Sequence, residues 1–282
     1  MQHIDGTIVA AVDSACAAGA AVRLALVEAV LRRRPLDLLA VYGPEPDDVR
    51  RAAGCVPRNV AERRLAQTAA ALRASHPEVP VRTELTGAEL GSALITRSHG
   101  AAMVVLGTDG PTGPTERIAA HADAPVVVAP VVRHPGGPVV LGVDGSYLAP
   151  EAAAFAFEEA VLRGVPLLAM YAWPGVADVA LSGVDPFGYD VSVARGDAYR
   201  VLAEALAGWA AKYPDVPVEH RAVLAAHTGE QLTHEAAGAS MLVLGARSHT
   251  GAARPALGSV VRYALHLSPC PVAVLTPHRL GG

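Results

Sequence analysis

The amino-acid sequence predicts an α/β fold class, in which two repeated domains each contain an open parallel β-sheet. Three observations support this prediction. The chain has 282 residues, which suits two average domains. Apolar residues make up 51% of it and charged residues 18%, which favours a buried sheet over a disordered chain. Short runs of Val, Ile, Leu and Ala, apolar throughout as in strands buried on both faces, alternate with segments of helical period.

The pattern of elements begins again near residue 137. The first strand and helix are predicted from "GTIVAAVDSACAAGAAVRLALVEAVLRR", which starts at Gly6, and their repeat from "GPVVLGVDGSYLAPEAAAFAFEEAVLRG", which starts at Gly137. Each copy has an apolar strand, a Val-Asp pair with a serine nearby, and a long Ala-rich helix. Asp13 and Asp144 occupy equivalent positions. A repeat of this length indicates two copies of one domain.

The later elements follow in the same order in both copies. The second strands are predicted from "PLDLLAVYGPEP" and "PLLAMYAWPG", further helices from Arg51–Arg73 and Gly196–Lys212, later strands from "AAMVVLGTDG" and "ASMLVLGARS", and the last strands from "APVVVAP" and "CPVAVLTP". Each copy therefore has the order β-α-β-α-β-α-β-α-β. The Pro- and Gly-rich stretch Ala129–Pro138 is the expected linker between an N-terminal domain of residues 1–132 and a C-terminal domain of residues 137–282.

A ligand site is expected at the carboxyl ends of the strands. In open parallel sheets, ligands bind in the crevice outside these ends, where the strand order reverses. Asp13 and Gly107 stand at strand ends in the first copy, and Asp144 and Gly245 do so in the second. These four residues are therefore predicted to lie at the ligand-binding edge of their sheets.

The segment from Gly245 to Ser259 has the features of a phosphate-binding loop. Gly245 ends a strand and permits a close approach of a ligand, and Gly258-Ser259 opens a helix whose first N–H groups attract anions. Three residues of the loop can supply positive charge: Arg247, His249 and Arg254. A second interpretation stays open, in which Ser259 only caps the helix. The segment is not a P-loop, and no Gly-x-Gly-x-x-Gly follows the first strand.

Charge, cysteines and histidines argue against several classes of function. The formal net charge is −4 and no basic run is present, so no nucleic acid partner is predicted. The cysteines Cys16, Cys55 and Cys270 lack metal-ligand spacing and are expected to be free thiols of a reducing cytoplasm. The histidines are scattered rather than paired as zinc ligands. No apolar run is long enough to cross a membrane, and the N-terminus lacks the basic start of a signal peptide.

Several segments together resemble the universal stress protein family. That family carries a Gly-x2-Gly-x9-Gly-Ser/Thr motif after its fourth strand, and its four positions here hold Gly245, Ser248, Gly258 and Ser259. The segment "HLSPCPVAVL" is similar to the family's last helix and strand. The resemblance covers both copies, as in tandem two-domain members. It implies Rossmann-like domains of the adenine nucleotide alpha hydrolase-like class.

The resemblance also implies an ATP site in the C-terminal domain. The family's motif closes around the triphosphate, Val143-Asp144 is similar to its adenosine contact, and Met170 falls where the family places an adenine contact. The complete set of expected ATP-binding residues is Val143, Asp144, Met170, Leu244, Gly245, Arg247, Ser248, Gly258, Ser259 and Val260. Mg²⁺ is expected with the triphosphate, because one or two basic residues do not offset its charge.

Both copies depart from the family motif. In the second copy Ser248 replaces a glycine, which costs about 1 kcal/mol if this position needs a positive φ, and Pro255 removes one backbone donor. In the first copy the loop after Gly107 is shorter than its counterpart, lacks the Gly-Ser pair and contains the negative Asp109. Full ATP binding is therefore not predicted there. The residues of a weak N-terminal site would be Asp13, Val41, Gly107 and Gly110.

The predicted function is that of a cytoplasmic stress-response protein that binds ATP as a regulatory ligand, mainly in its C-terminal domain. Rapid ATP hydrolysis is not expected, because the loop offers no general base and the sequence no Gly-x-Ser-x-Gly elbow. As in the family, the last strands of the two domains are expected to pair; a homodimer and a protein partner are left open. Two alternatives are a protein–protein interaction module whose nucleotide sites have both decayed, and an ATP-using enzyme with the same superfamily fold.

Overall fold

The chain forms two compact units, divided between Val132 and Arg133, which are called here the N-terminal unit and the C-terminal unit. The computed structural model describes residues 6–12, 16–43, 56–107, 114–130, 136–144, 149–173, 191–246 and 257–276.

The N-terminal unit alternates strands and helices. Its elements are β1 (Ile8–Ala11), α1 (Cys16–Arg32), β2 (Leu36–Val41), α2 (Arg58–Ser75), β3 (Val81–Thr86), α3 (Leu90–Ser98), β4 (Met103–Gly107), α4 (Thr115–His121) and β5 (Val126–Ala129). The strands lie in the order β3-β2-β1-β4-β5, and every neighbouring pair is parallel.

The C-terminal unit repeats this arrangement. Its elements are β6 (Val139–Val143), α5 (Ala149–Arg163), β7 (Leu167–Trp173), α6 (Val191–Ala205), α7 (Trp209–Lys212), β8 (Val218–Leu224), α8 (Thr228–Glu235), β9 (Met241–Gly245), α9 (Ser259–Leu267) and β10 (Val272–Leu275). The strand order is β10-β9-β6-β7-β8, again all parallel.

The strands near the middle of each sheet are apolar throughout because they are buried on both faces. In β6 and β9, residues 139–140 and 241–243 are fully buried, and α5 packs against both strands. β8, at one end of the strand order, exposes several of its side chains instead. The predicted α/β fold class with an open parallel sheet is confirmed.

The first helices of the two units share a buried ion pair. Glu28 in α1 is fully buried and pairs with Arg32 one turn later. Glu159 and Arg163 make the same pair in α5. A buried carboxylate needs such a partner, because removing an ion from water is costly. The same pair at equivalent positions shows that the repeat extends to individual side chains.

The helical segments begin and end at slightly different residues than predicted. The segment Gly196–Lys212 is divided into α6 and α7 by Gly208, whose φ of 80° is left-handed. Glycine adopts this conformation without steric cost and commonly ends helices. The start of the predicted segment Arg51–Arg73 lies outside the described residues, and α2 runs from Arg58 to Ser75.

In the C-terminal unit the chain changes direction across the sheet beside β6. From β6 it moves outward through β7 to β8, and it then returns to the other side of β6 to form β9 and β10. The carboxyl ends of β6 and β9 therefore flank a topological switch point, where open parallel sheets bind their ligands. β1 and β4 stand in the same relation in the N-terminal unit.

Candidate functional site

A cavity of about 200 Å³ lies at this switch point of the C-terminal unit. Three strand ends and the first turns of two helices surround it. The lining residues are Gly142, Val143, Asp144, Tyr171, Ala172, Thr228, Leu232, Leu244, Gly245, Gly258, Ser259, Val260 and Val261.

One side of the cavity is formed where β6 and β9 lie next to each other. Gly142 lies directly beside Leu244 in the sheet register, and a Cβ atom on residue 142 would be 2.5 Å from Leu244 Cδ2. Only glycine therefore leaves this leucine in its present position. Val143 and Asp144 follow at the end of β6, and Gly245 ends β9, so all five residues reach the cavity.

The first turn of α9 reaches the cavity without a side-chain cap. Gly258 is the N-cap residue, with φ −62° and ψ 156°, and as a glycine it provides no side-chain cap. Its N–H donates instead to the carbonyl of Ala246 at 3.2 Å. Ser259 is the exposed first helical residue, so it does not cap the helix. The first N–H groups of a helix lack intrahelical acceptors, which makes this end of α9 suited to an anion.

The second helix at the cavity is α8, through Thr228 and Leu232. These residues are four apart, so they lie on the same face of the helix. α8 packs closely on α9 because Gly229 has no side chain; a Cβ atom there would be 2.9 Å from Tyr263 Cβ. His227 is the N-cap residue of α8, and it makes no side-chain cap either. Two helix starts without side-chain caps therefore meet at one cavity.

The contact from β7 involves residues that follow Met170. β7 pairs with β6, and β2 with β1, in equivalent registers, which makes Ala172 rather than Met170 the counterpart of Val41. Met170 is fully buried and is not among the lining residues, whereas Tyr171 and Ala172 are.

The cavity brings together most of the residues expected to bind ATP. Those that line it are Val143, Asp144, Leu244, Gly245, Gly258, Ser259 and Val260. Arg247 and Ser248 lie outside the described residues, as do His249 and Arg254.

The residues of the weak N-terminal site are only partly described. Val41 ends β2 and Gly107 ends β4, and both are half-buried. Asp13 and Gly110 lie outside the described residues, and so does the negative Asp109.

Several lining residues are not among the predicted ones. They are Gly142, Tyr171, Ala172, Thr228, Leu232 and Val261. One signal was available, because a glycine inside a β-branched strand such as "VVLGV" often marks a close approach of another group. The contribution of α8 has no local signal, because it depends on how α8 packs against α9.

In the N-terminal unit the start of α3 is closed by its own carboxylate. Glu89 is the N-cap residue and accepts hydrogen bonds from the N–H groups of Gly91 at 2.8 Å and Ser92 at 2.9 Å. These two bonds, Ser92 first, lower the pKa of Glu89. Arg117 of α4 donates to Glu89 Oε2 at 3.1 Å and to Ser92 Oγ at 2.8 Å. The start of α3, which corresponds to the start of α8, therefore has its N–H groups bonded to a side chain of the protein.

The described part of the chain was compared with the requirements of a protein metal site and of a reactive thiol. No group of three or more His, Cys, Asp or Glu side chains there could hold a metal ion. Cys270 is a buried free thiol, and burial raises its pKa to about 11, so little thiolate forms at neutral pH. In the same residues, no helix has the length and apolar character needed to span a membrane.

The C-terminal unit belongs to the class of Rossmann-like α/β proteins and has a cavity at the switch point of its parallel sheet. Solved structures share the fold of the whole chain. A universal stress protein from Archaeoglobus fulgidus has a TM-score of 0.64 at 13% identity, with 98% of this chain and 99% of that one covered. A functionally unknown protein from Pseudomonas aeruginosa has a TM-score of 0.62 at 18% identity, with 96% and 92% covered.

Sequence comparison identifies the family. Residues 137–276 match the model of the universal stress protein family. A universal stress protein of Mycolicibacterium smegmatis is 33% identical over 291 residues, which cover 96% of this chain and 97% of that protein. One from Mycobacterium tuberculosis is 33% identical over 290 residues and covers 95% of each. The chain therefore belongs to the universal stress protein family.

Proposed function

We propose that the C-terminal unit binds ATP as a regulatory ligand within a stress response. The observation that carries this proposal is the cavity at the switch point, which joins Asp144 at a strand end to the uncapped first turn of α9 at Gly258-Ser259. A helix start of this kind favours phosphate through its free N–H groups and its dipole.

The lining residues divide into a phosphate end and a nucleoside end. Ser259 and Val260 offer backbone N–H groups and Ser259 a hydroxyl to phosphate, Gly258 permits a close approach, and the sequence adds Arg247 and Ser248. At the other end, strand residues support adenosine: Val143, Asp144, Leu244 and Gly245, with Ala172 in the role first expected of Met170. A volume of about 200 Å³ is below the usual range of small-molecule sites, about 300–1,000 Å³. It suits the nucleoside, with the phosphates extending along α9.

The oxygen ligands at the cavity are compatible with Mg²⁺ held chiefly by phosphate. Asp144 supplies a half-buried carboxylate and Ser259 a hydroxyl. Mg²⁺ usually binds through one or two protein oxygens together with phosphates and water. Its role here would be to offset the charge of the triphosphate.

At most slow hydrolysis of ATP is expected at this site. Among the described lining residues, Asp144 carries the one carboxylate, and the strand that bears it lies at the nucleoside end. A general base for hydrolysis must reach the water that attacks the terminal phosphate. We therefore propose that ATP changes the shape or the partner of the protein. A cytoplasmic location, a homodimer and a protein partner stay predictions.

We infer a structural or regulatory role without full ATP binding for the N-terminal unit. Glu89 already satisfies the start of α3, and Pro114, which has no N–H, stands at the N-cap of α4 without a side-chain cap bond. A carboxylate beside the expected anion position repels phosphate.

The test measures nucleotide in two ways. Freshly purified protein is denatured and the released nucleotide is counted per chain, and stripped protein is then titrated with Mg-ATP by calorimetry. One ATP per chain, lost when Gly258→Val is combined with Ser259→Ala, supports the proposal. Two per chain would show that the N-terminal unit also binds.

A matched control variant is Pro114→Ala, at the corresponding helix start of the N-terminal unit, which should leave the stoichiometry unchanged. No released nucleotide and no heat at millimolar Mg-ATP would overturn the proposal. That outcome would favour an interaction module built on a nucleotide-binding fold.

A further inference from the structure

We infer that Thr228 contacts the base of the nucleotide and sets the preference of the C-terminal site among bases. This inference rests on the proposed nucleotide site. It assigns a role to α8, a helix outside the glycine motif that suggested that site.

The apolar part of the cavity lies against α8. Leu232 in α8 and Leu244 in β9 are both buried, and the side chain built on Gly142 would also meet Leu232, at 3.4 Å. Apolar side chains such as these can pack on the faces of a base, whereas the start of α9 suits phosphate. Thr228 precedes Leu232 by one turn on the same helix face. A base packed on Leu232 therefore has its polar edge beside Thr228.

Thr228 offers a polar group that the protein itself does not use. It is half-buried and lines the cavity. The described residues provide no hydrogen-bond partner for its hydroxyl. Polar edge atoms of a base that leaves water need partners, because an unmatched buried acceptor costs free energy. Ring nitrogens of adenine are acceptors, and the Thr228 hydroxyl can donate to them.

The N-terminal unit has a different arrangement at the corresponding helix start. There Leu90 stands at the place of Thr228, and the N–H groups of Gly91 and Ser92 donate to Glu89. In α8 the N-cap residue is His227, which accepts no such bond. One copy thus satisfies its helix start with its own carboxylate, and the other presents a hydroxyl and free N–H groups at the cavity.

The experiment separates base recognition from phosphate recognition. Full-length Thr228→Val and Thr228→Ser are titrated with Mg-ATP, Mg-GTP and magnesium inorganic triphosphate. We expect Thr228→Val to bind ATP about tenfold more weakly, which corresponds to one lost hydrogen bond. The difference in affinity between ATP and GTP should narrow, the affinity for triphosphate should change less than twofold, and Thr228→Ser should stay near wild type.

A matched control removes a threonine hydroxyl elsewhere in α8. Thr233 is buried, bonds the carbonyls of Gly229 and Glu230, and does not line the cavity. Thr233→Val should therefore keep the base preference, and thermal unfolding of each variant confirms that it is folded.

Three outcomes would overturn the inference. Thr228→Val with wild-type affinity for every ligand would show that the hydroxyl makes no contact. An equal loss for ATP and inorganic triphosphate would make Thr228 a phosphate contact. If wild-type protein binds inorganic triphosphate but neither ATP nor GTP, the site does not accept a nucleoside. If wild type binds none of the ligands, the proposed function itself fails, and this result is distinct from the other three.

Discussion

The starts of α3 and α8 differ although the two helices occupy equivalent places. The N-cap residue of α3 is Glu89, whose carboxylate accepts hydrogen bonds from the first N–H groups of the helix and is held by Arg117 of α4. α8 begins at Thr228 after the N-cap residue His227, which makes no side-chain cap bond, and Thr228 lines a cavity. The two units therefore differ at these helix starts although they share the same fold. The fold depends on the apolar strands, whereas the site depends on a few residues at helix starts.

The starts of α4 and α9 also differ in their N-cap residues. α9 runs over Ser259–Leu267 behind a glycine N-cap, whereas α4 is shorter, Thr115–His121, behind Pro114. Glycine brings the backbone close to a ligand, and proline removes an N–H group. The two helix starts therefore differ at the N-cap position: Pro114 has no N–H group, whereas the N–H of Gly258 donates to the carbonyl of Ala246.

The largest difference between the units in the stability cost of a substitution is expected when Gly91 of α3 and Gly229 of α8 are each replaced by alanine. At Gly229 a Cβ atom would lie 2.9 Å from Tyr263 Cβ and 3.0 Å from its Cγ, atoms near the backbone that cannot swing away. At Gly91 the nearest atom, also at 2.9 Å, belongs to the Glu89 carboxylate, which can move. Gly229→Ala should cost about 1–3 kcal/mol of stability, and Gly91→Ala less. Thermal unfolding midpoints measure both; a greater loss from Gly91→Ala would contradict this packing argument.

Alanine at Gly142 should make the cavity more like the N-terminal unit, where Ala11 holds the equivalent position. The new methyl group must displace Leu244 Cδ2, which is 2.5 Å away. We expect a stability cost of about 1 kcal/mol, at the low end for an overpacked site, and a clear loss of Mg-ATP affinity. Chemical denaturation and calorimetry measure the two effects. Unchanged ATP affinity would place the ligand away from the β6 and β9 contact.

Replacement of Glu89, the carboxylate that caps α3, should destabilise only the N-terminal unit. Glu89→Ala removes a helix cap, which usually contributes about 1 kcal/mol, and less where the side chain is 54% exposed to solvent as here. The pKa of Glu89 is lowered from 4.5 by the N–H groups of Ser92 and Gly91, so the folded state prefers the carboxylate. The contribution is therefore complete above pH 4.5 and is lost as pH falls through the lowered pKa.

Urea denaturation of wild type and Glu89→Ala across acidic pH measures this dependence. The difference in unfolding free energy between the two proteins should shrink as the pH falls. A difference that is constant with pH would mean that the charge of Glu89 does not stabilise α3.

The smallest effect on stability is expected from Ser259→Ala. Gly258 and not Ser259 is the N-cap residue of α9, and Ser259 is exposed, so stability should change by less than about 0.5 kcal/mol. Mg-ATP affinity should nevertheless fall, because one donor to phosphate is lost. Thermal unfolding with and without Mg-ATP measures both effects. If the unfolding midpoint without ligand fell by an amount that corresponds to about 1 kcal/mol, as for a lost helix cap, Ser259 would be a capping residue after all.

Much of the fold could be predicted because it depends on local patterns. Apolar runs bounded by Pro, Gly and Asp predicted the strands, and helical period predicted the helices between them. The break at Gly208 was not predicted from the sequence, because only the left-handed φ of this residue shows that it separates α6 from α7. At the site, the motif predicted Gly245, Gly258 and Ser259, which all line the cavity. Ala172 could not be predicted in this way, because it depends on the register of β7 against β6.

The sequence by itself determined the parallel α/β repeat, the strand ends that carry Asp144 and Gly245, and the glycine motif before α9. These features are local in the chain, and hydrophobic period and residue type express them directly. Only the tertiary structure decided that Gly258 rather than Ser259 is the N-cap residue of α9, that Thr228 reaches the cavity, and that Arg117 of α4 holds Glu89 at the start of α3. Each of these depends on contacts between elements that are distant in sequence, where packing and hydrogen bonding choose among starts that local preferences leave nearly equal.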